Sequence, residues 1–133
     1  MYRSGGYTWA QVWHLADRQP EISKYVSECA HALASSSDGT MWWAHPGGGA
    51  DGHDRYNGTL ERSTNGGETW EFAAHITPGV YPAGGYGYSD LQPLSDGSGV
   101  AIVYQKTFNP PIRSIEGGGY DIGFARVTLA LQE

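Results

Sequence analysis

Apolar positions in this chain recur in short alternating runs that Gly, Asp-Gly or Asn-Gly steps interrupt every few residues. Alternation with period two marks strands with one face turned inward, and the interruptions mark tight turns. Thr8 to Leu15 reads as a strand. Ala16 to Ser27 reads as a connection, because Pro20 in Asp17-Arg18-Gln19-Pro20 stops any ladder; a short helix over Glu21 to Ser27 is the alternative. Glu28 to Ser35 and Thr40 to His45 predict a hairpin around Ser37-Asp38-Gly39, and Pro46 to Asp54 a polar, Gly-rich loop. Asn57 to Arg62 and Thr69 to Ala74 predict a second hairpin turning at Asn65-Gly66-Gly67, with Trp70 and Phe72 on one face of the return strand. After a Pro/Gly/Tyr-rich crossing from Thr77 to Gly87, Tyr88 to Leu94 and Val100 to Gln105 bracket a third turn at Ser95-Asp96-Gly97. Phe108 to Gly119 contains Pro110-Pro111 and reads as loop, and Tyr120 to Leu129, with Ile122, Phe124 and Val127, is the last strand. The expected class is all-β.

Composition agrees with that class. With 20 Gly, 5 Trp and 9 Tyr among 133 residues, and only 17% charged, the chain favours turns and short strands over solvated helices. Its length suits one modest domain. The net charge of −6 makes neither nucleic acid nor an anionic membrane surface an expected partner, although a local basic pocket remains open to an anion. Cys29 is the single cysteine, so no internal disulfide forms and the compartment stays undetermined. No apolar run reaches membrane-spanning length, and Met1-Tyr2-Arg3-Ser4 does not begin a signal peptide.

One motif has a more specific meaning. Ser63-x-Asn65-x-Gly67-x-Thr69-Trp70 resembles the Asp-box hairpin of sialidases and their relatives, with Asn65 where Asp is usual. Gly6-x-Thr8-Trp9 matches its second half, so the chain is expected to open inside a degraded copy of the hairpin that lacks its preceding strand. Trp9 and Trp70 stand roughly one propeller blade apart. The resemblance therefore implies an incomplete six-bladed β-propeller over residues 1–133. It would comprise one closing strand, one full four-stranded blade and three strands of a final blade, the C-terminal third of a larger domain.

Two further stretches follow the order of the sialidase family. His45-Pro46, a loop, then Arg55-x-Asn57-x-Thr59-Leu60-x-x-Ser63 is similar to the segment carrying one of three arginines that hold the sialic acid carboxylate. Arg suits that task because its planar fork donates two parallel hydrogen bonds. Tyr88-Ser89-Asp90-Leu91, the Asp-Gly turn and Tyr104-Gln105 resemble the segment whose first Tyr is the nucleophile. Sialidases are the known exception among glycosidases in using Tyr. A phenol avoids setting a second carboxylate against the one on the anomeric carbon. By this resemblance Arg55 binds substrate, Tyr88 is the catalytic nucleophile, and Gln105 replaces a Glu that usually steadies another Arg. Considered alone, Arg55 would be a surface ion-pair former and Tyr88 a half-buried strand aromatic; Tyr81, Tyr86 and Tyr104 suit the second description better. Ile122-x-Phe124-x-x-x-Thr128-Leu129 looks like the family's closing strand, which leaves Arg126 at a surface or edge.

The acid/base Asp, the Glu partnering the Tyr and the other two arginines are expected N-terminal to this chain, which alone should be inactive. Arg62 should point from a strand and is the weaker binding candidate. Other candidates read as structural: Asp51-Gly52-His53-Asp54 lacks a trusted metal spacing, Gly47 to Gly52 lacks a phosphate loop's Lys-Ser/Thr, and His14, His31 and His75 look like isolated strand histidines. Cys29 reads as inert packing, and Trp42 and Trp43 should face opposite ways, one to core and one toward a sugar site. No cofactor or metal is expected. The reading is an exo-α-sialidase portion acting on sialylated glycans, and its rival is a non-catalytic Asp-box propeller that binds glycan or protein.

Overall fold

Asp-Gly steps close two of the three expected hairpins. The structure, a computed structural model, describes residues 3–4, 7–8, 31–47, 55–79, 85–107 and 120–129. At the first turn Gly39 takes φ +86°, its N–H donates to Ser36 O, and Asp38 Oδ1 accepts from Thr40 N at 2.9 Å. At the other, Gly97 takes φ +74° and its N–H donates to Leu94 O. These positive angles suit Gly because a Cβ there would meet the following carbonyl.

The described residues form nine strands and no helix: β1 (Arg3–Ser4), β2 (Tyr7–Thr8), β3 (Ala32–Ser35), β4 (Met41–Pro46), β5 (Gly58–Ser63), β6 (Glu71–Thr77), β7 (Ser89–Pro93), β8 (Gly99–Thr107) and β9 (Tyr120–Thr128). The protein is all-β. Strands β3 to β6 make a four-stranded antiparallel meander, and β7 to β9 a three-stranded one. The first element departs from expectation. Arg3 pairs with Thr8 and Ser4 with Tyr7, so a short strand does precede the one that begins at Tyr7. The rest of the expected strand from Thr8 to Leu15, the optional helix, Cys29, the Asp51 to Asp54 run and Tyr81 lie outside the described residues.

The sheets pack face to face: β3 and β4 approach β7, and β6 approaches β9. Between them lies one apolar core of Ala32, Trp42, Ala44 and Leu60 from the first sheet and Tyr86, Leu91, Val100, Ile102 and Tyr104 from the second. On β9, Ala125 and Val127 pack against this core while Ile122 and Phe124 stay 69% and 68% exposed. The alternation at Ile122 and Phe124 therefore marks the outer face, and the register agrees by setting Phe124 opposite the exposed Val103. Arg126 is exposed, as expected.

Trp42 and Trp43 do face opposite ways, but both are buried. Trp42 enters the core. Trp43 forms an aromatic group on the other face with His31, His45 and Trp70. His31 is thus not isolated: its Nδ1 accepts the Trp43 indole N–H at 2.9 Å. His75 lies edge-on to Phe72 at 4.8 Å, and His14 is outside the described residues.

Candidate functional site

The hairpin at 63–70 is held by a side-chain network. Ser63 Oγ–H donates to Asn65 Oδ1 at 2.8 Å and its oxygen accepts Gly67 N–H at 3.0 Å. Asn65 Oδ1 also accepts Thr69 N–H at 3.0 Å, and its Nδ2 donates to Thr69 Oγ1 at 2.8 Å. The backbone N–H groups of Gly67 and Thr69 are thereby satisfied, with Gly66 and Gly67 at φ +72° and +87°. Trp70 stands one residue before β6, so the return strand starts later than expected, but the shared face holds: Trp70 sets its edge against Trp43 at 5.5 Å, and Phe72, 57% exposed, lies opposite Glu61 on that same face. Bulges between Gly58 and Thr59 and between Leu60 and Glu61 shift the β5–β6 register, so simple alternation does not carry through β6.

At the opposite end of β5 the chain brings Arg55 and Tyr88 together. Asn57, at φ +55°, reverses the backbone, and its carbonyl accepts Gly47 N–H at 2.9 Å and Thr59 Oγ1–H at 2.7 Å. Asn tolerates that left-handed conformation better than most residues, which gives the Asn of the Arg-x-Asn pattern a conformational role. The preceding residues then bridge to the second sheet: Tyr56 pairs with Gly85, and Tyr86 N–H donates to Arg55 O at 2.9 Å. This bridge seats the Arg55 guanidinium over the Tyr88 ring, 5.0 Å from its centroid. The Tyr88 ring is 63% exposed.

Gln105 supports the same place from β8. Its N–H donates to Tyr88 O and its carbonyl accepts Gly87 N–H, both at 2.8 Å. Its side chain lies so close to Gly87 that a Cβ there would stand 2.6 Å from Oε1. Alongside runs an open groove of about 370 Å³, lined by Tyr88, Asp90, Gln105 and Ile122 among others. Tyr86 and Tyr104 behave as packing residues. Tyr86 is fully buried, stacked on Tyr104 at 5.4 Å, with its ring filling the space a Cβ on Gly58 would need. Burial pushes its phenol up to about 12; the nearby Ser89 hydroxyl opposes that rise and Tyr104 adds to it. Neither the Tyr86 nor the Ser89 hydroxyl reaches a hydrogen-bond partner among the described residues.

Arg62 sits on β5 and pairs with Glu71 through Nε at 2.5 Å, far from Tyr88. Sequence reasoning missed a buried polar pair on the outer face of the first sheet. His45 Nε2 stands 3.9 Å from Glu61 Oε1, with both residues nearly inaccessible. His45 Nδ1 lies 2.9 Å from Pro46 O and donates to that carbonyl. The available signal was parity: Trp43 and His45 alternate on β4, and Glu61 lies directly opposite Trp43.

Comparisons of the chain with protein-family models, with curated proteins and with solved structures give no significant match.

Proposed function

We propose that this chain is part of an exo-α-sialidase propeller, a glycoside hydrolase that removes terminal sialic acids from glycans with retention of configuration. The observation that carries the reading is the seating of Arg55 over Tyr88. The two residues lie on the approaches to β5 and β7, strands of different sheets, and the motif resemblance names them as carboxylate binder and nucleophile. Two antiparallel meanders packed on each other support the propeller as its frame.

In this reading the edge of the Arg55 guanidinium donates to the sialic acid carboxylate while its face rests on the phenol ring. Tyr88 Oη forms a bond to the anomeric carbon as the glycosidic C–O bond breaks, and water later displaces the phenol from the face that the leaving group vacated. The acid that protonates the leaving oxygen and the base that takes the phenol proton are not assigned to any residue of this chain. By itself it is expected to bind and not to turn over. A binding-only Asp-box propeller is the second reading, favoured by neutral Gln105 where the family carries a carboxylate.

Two measurements test the proposal. On the chain, sialic acid should shift amide signals at 55–57 and 85–88, and Arg55→Lys should weaken binding about tenfold, because an ammonium cannot make the two-pronged contact. In a propeller containing this chain, Tyr88→Phe should abolish hydrolysis of a fluorogenic sialoside while the far-UV spectrum stays unchanged, since only one hydroxyl is lost. Wild-type turnover by Tyr88→Phe rejects the mechanism. Binding without turnover in the intact propeller selects the second reading.

A further inference from the structure

In the two larger sheets β3, β6, β7 and β9 lie at the edges, and the first three are guarded against further pairing. β3 is only 4 residues long, and bulges break the register of β5 with β6. β7 contains Pro93, which has no N–H to offer, and Asp90 Oδ1 accepts the Leu91 N–H at 2.9 Å. β9 differs. It runs 9 residues against β8 in unbroken register and contains no Pro. We propose that this edge pairs antiparallel with the β9 edge of a second copy, joining two three-stranded sheets into one across a two-fold axis. The inference concerns the chain on its own and does not rest on the roles proposed for Arg55 and Tyr88.

Gln105 shows which main-chain groups β9 presents. Its N–H and its carbonyl are both spent on the β7 side, with Tyr88 O and Gly87 N–H. Ile122 stands opposite Gln105, so its own N–H and carbonyl turn away from β8. By the alternation of an antiparallel ladder, so do those of Phe124 and Arg126. Phe124 and Arg126 offer these groups to no strand among the described residues. The Ile122 N–H reaches only the adjacent Asp121 Oδ1, at 3.0 Å and exposed, a contact that an incoming strand replaces.

A second copy fits because the strand is its own complement. With the axis at Gly123, Ile122 of each copy lies opposite Phe124 of the other. Both side chains are exposed, and an aromatic ring beside a β-branched chain is a stabilising cross-strand pair. Moving the axis to Phe124 would set Ile122 against the charged Arg126. Exposed Val103, opposite Phe124 on β8, continues the apolar stripe in both copies. At the axis two glycines meet, and the Tyr104 ring already occupies the space a Gly123 Cβ would need. Pairing uses both β9 edges while β7 stays guarded, so the assembly closes at two copies. The net charge of −6 on each copy opposes the approach, and salt screens it.

Sedimentation equilibrium of the full chain from about 1 to 300 µM should show a monomer–dimer equilibrium with Kd about 10–100 µM. The dimer should tighten at least about twofold between roughly 0.05 and 0.3 M NaCl. Amide exchange at Phe124 and Arg126 should slow as concentration rises, because these donors gain partners only in the pair. In a mixture of labelled and unlabelled chains, NOEs between copies should join Ile122 to Phe124. Phe124→Pro removes an outward donor and leaves the β8–β9 ladder intact, so it should fold and weaken the dimer more than about tenfold. Should it fail to fold, Phe124→Thr, a strand former without the ring, should still weaken the dimer about threefold or more. A chain monomeric at about 300 µM, growth beyond two copies, or a dimer in which exchange at 124 and 126 ignores concentration would each overturn the proposal. So would folded variants that dimerise as wild type does.

Discussion

Asn65 is the residue on which the resemblance and the structure can be tested against each other, because the hairpins that this one resembles carry Asp there. Its side chain makes three hydrogen bonds: Oδ1 accepts from Ser63 Oγ and Thr69 N, and Nδ2 donates to Thr69 Oγ1. Asn65→Ala removes all three. The two to Thr69 are exposed and water replaces them, so each is worth about 0.5 kcal/mol; the bond from buried Ser63 is worth about 1. The expected loss is about 2 kcal/mol, a fall in Tm of roughly 6–10 °C for a chain of this length. Asn65→Asp should behave differently. Oδ1 keeps both acceptor roles, and the Thr69 hydroxyl turns to donate to Oδ2 as a charge-assisted bond. Exposure and neighbouring Glu68 discount the gain, leaving the aspartate variant within about 0.5 kcal/mol of wild type at pH 7. Accepting these bonds would lower the pKa of the introduced carboxyl in the folded state, so its contribution is present above the unfolded value and is lost as pH falls through the folded one. Urea unfolding followed by Trp fluorescence at pH 7 and pH 3.5 measures all of this. An alanine variant as stable as wild type, or an aspartate variant as damaged as alanine, would show that the network is not what closes the turn.

Other outcomes follow from buried groups. The Tyr86 phenol is raised from 10.0 to about 12 in the folded chain. Stability from this group is therefore full below about pH 10 and falls by roughly 3 kcal/mol as pH rises through 12, and Tyr86→Phe should flatten that decline in urea titrations between pH 8 and 12. At neutral pH the same variant should cost less than about 1 kcal/mol, since the hydroxyl it removes has no partner among the described residues. Glu61→Ala leaves the buried His45 imidazole without its carboxylate and should cost about 2–4 kcal/mol. Pairing His45→Phe with Glu61→Leu should recover most of that loss, and strictly additive losses in the double variant would deny that the two groups interact.

Much of the strand order was legible because local chemistry determined it. Asp38-Gly39 and Asp96-Gly97 turn the chain through their own backbone preferences and short side-chain bonds, whatever the rest of the molecule does. The joining of Arg55 to Tyr88 was legible only through motif spacing. No local rule reaches from one to the other, and the contact depends on the Asn57 reversal and the Tyr56–Gly85 bridge. Burial on β4 was less legible: Trp42 through Pro46 are all buried, so both faces of that strand are covered and alternation carries no information about which is core.

Tyr86 and Tyr88 show the limit most directly. They are two residues apart, and in an extended run they would share a face. Yet Tyr86 is fully buried and Tyr88 is 63% exposed. Parity does not apply, because β7 begins only at Ser89 and both tyrosines lie in the approach to it. What separates them is a vacancy across the sheet interface: the ring of Tyr86 occupies space that Gly58, lacking a Cβ, leaves open. Any side chain at position 58 would contest that space and press on the segment that carries Tyr88 to Arg55. The geometry of the candidate site thus depends on a glycine thirty residues upstream whose importance no motif announces.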